Sequence, residues 1–193
     1  MSNTQWQFGD TVGRFRVDLD QINGRSTKVI RCVTAGPLYI TRHAMQQESG
    51  AMAFGELEVW VYKPDAGAIA ITFNNTSING AIGNANELYM AAGEEVGVQR
   101  YAGGAWAANN FQTAVGFCPI LTWTKFTVKR TVAGVYTTYM NDTLVTPVAV
   151  GANPFTDVTY LTSETIRIQM GVGNKIALGS VDGANAFVKR IKG

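Results

Sequence analysis

The sequence predicts an all-β protein: an antiparallel two-sheet jelly-roll sandwich with an N-terminal arm. Three observations carry this reading. Apolar and polar residues alternate along short runs, and no segment keeps a 3.6-residue apolar period. Glycine is abundant, at 21 residues, and only 16% of the chain is charged against 46% hydrophobic, which suits many strands joined by tight turns. The runs recur at about 8–15 residues, the spacing of a sandwich rather than of strand–helix–strand units. With 193 residues the chain makes one domain, large enough to bury a core without disulfide or metal staples.

Residues 1–27 are more polar than the rest and read as an arm or an added strand, leaving residues 28–193 for the sandwich. Phe15, Val17 and Leu19 alternate with Arg14, Arg16 and Asp18, which favours a docked strand there. "KVIRCV" and "PLYI" follow, separated by the turn-forming "AGP". "TRHAMQQESGAMAF", residues 41–54, is the least regular stretch and reads as a short helix or a loop lying on a sheet. "GELEVWVYK" and "GAIAITFNN", joined by "PDAG", predict a hairpin. "ELYMAA" comes next, then "VGVQRY" and "AWAANNFQTAV" around "AGG". "WTKFTVKR" and "GVYTTYMN", joined by "TVAG", put Phe126 and Val128 inward and Lys125, Thr127 and Lys129 outward. "TLVTPVAV", "ETIRIQM", "NKIALGSV" and "AFVKRI" complete the strands.

Net charge is +2, and its distribution is mildly uneven. Residues 1–121 hold 8 basic and 10 acidic side chains, residues 122–193 hold 8 and 4. That is the solvent side of strands, and no nucleic-acid partner is expected. Cys32 and Cys118 sit among apolar neighbours and read as buried thiols of a reducing cytoplasm. The start carries neither a basic segment nor an apolar run, so no cleaved signal is expected. No stretch of about 18 apolar residues occurs, and no membrane partner is expected.

From Gly55 onward one order of motifs stands out: "FGELEVWVYK", "TWTKFTVKRTVAGVYTTYMND", "GANPFTDVTYLTSETIRIQMGVGNKIALGSV" and a closing "VKRIKG". Over about residues 30–193 this resembles the concanavalin-A-like (laminin-G-like) jelly-roll domains of bacteriophage structural proteins. The matching positions are Gly55, Trp123, Arg130, Asn153, Pro154, Asp157, Tyr160, Ser163, Lys192 and Gly193. The resemblance implies the concanavalin A-like lectin/glucanase fold. It also implies a virion component made in the host cytoplasm: a capsid decoration, head fibre or tail-associated module. Phage capsid or tail proteins and further copies of the chain are then the partners, with Trp6, Phe8 and Phe15 as the expected anchor. A weak, multivalent face for host-surface or environmental polysaccharide would complete the picture.

Some glycosidases share this sandwich and carry three acids on one strand face. Here Glu56 and Glu58 share a face, but the third position is Trp60, so a non-enzymatic role is expected. His43, the single histidine, has no nucleophile beside it, and no Cys/His spacing fits zinc. Asn141, Asp142, Asp157, Asp182 and Asn185 lack the acidic density of a calcium loop and read as turn formers. No metal or cofactor is expected.

A binding surface is the better candidate. With Leu57, Val59 and Val61 inward, Glu58, Trp60 and Tyr62 face outward. The expected partner strand turns Ile69, Ile71 and Phe73 inward and sets Ala68, Ala70 and Thr72 outward beside them, leaving the rings open for a sugar to stack. Tyr89, Gln99 and Tyr101 extend this face if their strands are adjacent, and Trp106 falls at a hairpin end. The competing reading packs these aromatics under the 41–54 segment or against another subunit.

Overall fold

The computed structural model describes residues 7–8, 15–34, 40–41, 55–65, 67–76, 83–148, 150–159 and 165–178. The chain enters through β1 (Gln7–Phe8), β2 (Phe15–Ile22), β3 (Arg25–Cys32) and β4 (Ile40–Thr41). The longer β5 (Gly55–Tyr62) and β6 (Ile69–Asn75) follow, then the meander β7 (Ala85–Met90), β8 (Val96–Ala102) and β9 (Ala105–Gln112). β10 (Trp123–Arg130) and β11 (Val135–Met140) form a hairpin, trailed by the short β12 (Thr143–Leu144), β13 (Val150–Gly151) and β14 (Phe155–Thr156). β15 (Thr165–Met170) and β16 (Lys175–Leu178) close the described part.

These strands build two antiparallel sheets. Sheet I runs β1-β4-β15-β6-β7-β8-β9-β13, and sheet II runs β12-β11-β10-β5-β16-β3-β2, with β14 attached to β11. The period of two decides which side of each strand turns inward. Leu57, Val59 and Val61 from β5, with Phe126 and Val128 from β10, meet Ile69, Ile71 and Phe73 from β6 in one continuous core. Each fully buried side chain of this size contributes about 1.5–3 kcal/mol. Lys125, Thr127 and Lys129 point away from that core, and Lys129 pairs with Glu56 at 3.3 Å. The all-β sandwich is as the alternation requires.

One expectation about pairing needs correction. "PDAG" is a turn, with the Gly67 amide donating to Asp65 Oδ1 at 2.7 Å, but it carries the chain from sheet II to sheet I. β5 pairs with β10 and β16, and β6 pairs with β15 and β7. Apolar faces of β5 and β6 therefore oppose each other across the core instead of lying side by side. The strand expected at Phe15 to Leu19 is docked, as β2 of sheet II. β2 and β3 pair along their whole length from Phe15↔Cys32 to Ile22↔Arg25, and Phe15 packs against the core. Asn23 and Gly24, both at positive φ, make the tight two-residue turn between them. Of the expected anchor, Phe8 lies in β1 opposite Ile40, and Trp6 is outside the described residues, as are His43 and nearly all of the 41–54 segment.

One end of the sandwich is closed by polar groups, and three of the family-like positions do this. Asn153 accepts from the Thr138 amide at 2.9 Å and donates to the Thr138 and Val145 carbonyls, each at 2.7 Å. Arg130 lies over the ring of buried Tyr136 at 5.1 Å and donates to the Asp157 carbonyl at 3.4 Å. Asn86 donates to the Tyr136 hydroxyl at 3.1 Å, and burial raises that hydroxyl's pKa above its ordinary value. Asp157 makes a turn by accepting from the Thr159 amide, and Asn141–Asp142 make the turn between β11 and β12. Both roles are those of turn formers. Cys32 and Cys118 are buried and not joined in a disulfide, and burial pushes the Cys118 thiol up to about 11.

Candidate functional site

The outer face of sheet I holds a trough of about 540 Å³. Its position follows from small residues at matched register. Gln169, Ala70, Tyr89 and Gly97 lie on one line across β15, β6, β7 and β8. Ala68 and Ala70 leave the floor open, with Gln169 on one flank and Tyr89 on the other. Tyr89 leans over Gly97 so closely that a methyl group there would sit 2.6 Å from its ring and 2.5 Å from the Phe111 carbonyl oxygen. Only glycine admits this approach. Burial first, and the Glu95 carboxylate second, push the Tyr89 hydroxyl up to about 12.

The next line across the sheet is polar: Arg167, Thr72, Glu87, Gln99 and Asn109 share register on β15, β6, β7, β8 and β9. Glu87 is 3% exposed and sits at the centre of a donor network. Thr72 Oγ1 donates to its Oε2 at 2.7 Å, and Gln99 Nε2 donates to its Oε1 at 2.6 Å. The Tyr101 hydroxyl donates to the same Oε1 at 3.4 Å and accepts from Gln99 Nε2 at 3.0 Å. These neutral donors satisfy a buried carboxylate that would otherwise be costly to desolvate. The result is a rigid hydrogen-bonding surface at the edge of an aromatic-walled trough. Trp106, 59% exposed, stands opposite Tyr101 and donates to Asn109 Oδ1 at 3.4 Å.

The expected face is therefore divided between two sheets. Tyr89, Gln99, Tyr101 and Trp106 come together on sheet I, along with Ala68, Ala70 and Thr72. Glu58, Trp60 and Tyr62 lie on the far side of the sandwich, on the outer face of sheet II. Trp60's neighbours there are Lys125 and Ala177 rather than the β6 alanines. It is 8% exposed, packed in a second apolar cluster with Ile22, Val29 and Ala177. Tyr62 tilts against Trp123 at 5.6 Å beneath the Lys175 ammonium at 4.8 Å, and Glu58 is buried. The aromatic standing beside small residues is Tyr89, not Trp60.

Glu87 is the site residue that sequence reasoning misses, and Thr72 was placed on the face without its role as a donor to Glu87. A weak signal exists: Glu87 and Tyr89 are two apart in "NELYM", as Gln99 and Tyr101 are in "VQRY", so each pair shares a face.

No protein-family model and no curated protein matches the chain. Solved structures do. The carbohydrate-binding module CBM66 from Bacillus subtilis superposes with a TM-score of 0.59 at 16% identity, over 91% of this chain and 94% of that one. A Bacillus licheniformis β-glucanase gives 0.52 at 10% identity, over 92% and 91%. A carbohydrate esterase of the Shiga toxin-encoding bacteriophage phi24B gives 0.51 at 10% identity, over 90% and 86%. At such identities the likeness speaks to architecture alone. With the two antiparallel sheets described above, it establishes that this chain has the concanavalin A-like lectin/glucanase jelly-roll fold.

Proposed function

We propose that the chain is a non-enzymatic carbohydrate-binding module whose ligand lies in the sheet I trough. The observation that carries this is the pairing of an aromatic wall, Tyr89, with the fixed hydrogen-bonding line Thr72–Glu87–Gln99 beside an open alanine floor. A sugar presents an apolar ring face and a rim of hydroxyls, and this surface offers a partner for each. The trough's volume also falls within the range of small-ligand sites. Similarity in fold to a carbohydrate-binding module and to carbohydrate-active enzymes supports the same class.

Binding without hydrolysis is favoured by the carboxylates. Hydrolysis needs two flanking the scissile bond, about 5–9.5 Å apart. Glu87 is the one carboxylate among the described residues lining the trough, and both its oxygens already accept hydrogen bonds. Tyr89, with its hydroxyl raised to about 12, is poorly suited to act as a nucleophile.

Magnitudes bear on how such a module is used. Covering one Tyr face removes ~60 Å², worth about 1.5 kcal/mol, and a few hydrogen bonds bring the total to roughly −4 kcal/mol, near millimolar. Useful adhesion then needs many copies, which gain by avidity. Display on a particle such as a phage virion, with neighbouring capsid or tail proteins holding the copies together, supplies that multiplicity. The test is binding of a multimerised protein to a panel of polysaccharides. Ala70→Leu fills the floor and should abolish binding with little change in melting temperature, while Trp60→Ala should leave binding in place. Retention by Ala70→Leu would overturn the assignment.

A further inference from the structure

We propose that the trough discriminates among glycans by charge, favouring sugars that carry a free, protonated amine over neutral ones and rejecting acidic ones. This rests on the carbohydrate-binding reading and deepens it. Glu87 is the only acidic or basic side chain among the described residues lining the cavity. Its described partners are a hydroxyl, an amide and a phenol, and no described cation is among them. A second carboxylate stands nearby. Glu95 immediately precedes β8, where Val96 and Val98 turn into the core, which places residues 95, 97 and 99 on the outer side. Its carboxylate folds back over Gly93, where an added methyl would meet Oε2 at 2.7 Å, and that oxygen is buried without a hydrogen-bond partner. Glu95 lies outside the trough lining but close enough to Tyr89 for its carboxylate to act on that hydroxyl.

Among the described side chains, no cation forms an ion pair with Glu87. Lys63 reaches the neighbourhood from the inner side of the sandwich, where its ammonium is buried and donates to the Ala91 carbonyl at 2.6 Å. Arg16, Arg31, Arg100, Lys125, Lys129 and Lys175 pair with Asp18, Asp157, Asp142, Glu56 and Asp20, none of them on this trough. A ligand ammonium beside Glu87 therefore meets a carboxylate that no described cation pairs with, whereas a ligand carboxylate would meet repulsion there.

The experiment uses the full chain at high density on a biosensor surface. Three tetrasaccharide probes are compared: one of glucosamine, one of N-acetylglucosamine and one of galacturonate. The comparison is made at about pH 6, where the amine of the probe is largely protonated. The amine-bearing probe should bind about tenfold more tightly than the N-acetylated one, with the galacturonate probe weakest. This preference should shrink as salt is added and as pH rises past the amine's pKa. In Glu87→Gln the affinity ratio should fall to about one, and Glu95→Gln, which is far from the hydrogen-bond network, should lower it part of the way. Equal binding of the amine and N-acetyl probes would overturn the charge selectivity and leave the glycan-binding reading standing. A preference that survives in both variants would also overturn it, by moving its source off this trough. If no probe and no polysaccharide is retained, the glycan-binding reading falls and takes this inference with it.

Discussion

Glu87 is a charged side chain in the middle of a strand, a position that normally reads as solvent-facing. It is buried because three donors from other strands converge on it: Thr72, Gln99 and Tyr101, each 12 to 15 residues away. That convergence depends on cross-strand register, which alternation alone does not give, and so the centre of the site was not legible in the sequence. Tyr89, Gln99, Tyr101 and Trp106 were legible, because a period of two places each on the outer face of its own strand. Trp60 shows the opposite limit. Its facing was correct and its accessibility was not, since a second apolar cluster lies on the outer side of sheet II. Gly97 makes the sharpest residue-scale prediction. Gly97→Ala should destabilise the fold by about 1–3 kcal/mol, read as a lower denaturant midpoint at unchanged slope. It should also displace Tyr89 and weaken glycan binding. An unperturbed midpoint would mean that Tyr89 does not rest on this glycine.

Among the elements, existence and facing follow from alternation, but pairing does not. The "PDAG" turn has the same chemistry whether its flanking strands lie side by side or face each other. What decides is that β5 finds its neighbours in β10 and β16, more than 60 residues downstream, so its inner face is free to meet β6 across the core. The strand expected at Phe15 to Leu19 is β2, which the positive φ angles of Asn23–Gly24 fold back on β3. An ion pair then helps fasten this hairpin to the sheet: Lys175 on β16 reaches Asp20 on β2 at 2.5 Å, spanning β3. The Lys175 hydrogen bond is the main cause holding the Asp20 carboxyl below its ordinary value of 3.8. A carboxyl lowered by folding stabilises the protein above its unfolded pKa, and that contribution is lost as pH falls through the folded value. Asp20→Asn should therefore cost up to about 1 kcal/mol at neutral pH, with the two proteins converging in acid. A difference that persists at low pH would contradict an electrostatic role.

For the whole molecule, composition and turn spacing were enough to indicate a sandwich, and the motif order from Gly55 onward indicated the concanavalin A-like version of it. Arg130, Asn153 and Asp157, which carried much of that resemblance, close one end of the sandwich and do not contribute to the trough. The residues that carried the resemblance thus lie away from the trough, so the resemblance speaks to the architecture and leaves any ligand to be argued from the trough itself. The central claim is that the working face belongs to sheet I. Chemical-shift mapping with a bound oligosaccharide tests it most directly. The account predicts backbone amide perturbations centred on Ala70, Glu87, Tyr89, Gly97, Gln99 and Gln169. Perturbations centred instead on Tyr62, Trp123 and Lys175 of sheet II would contradict it.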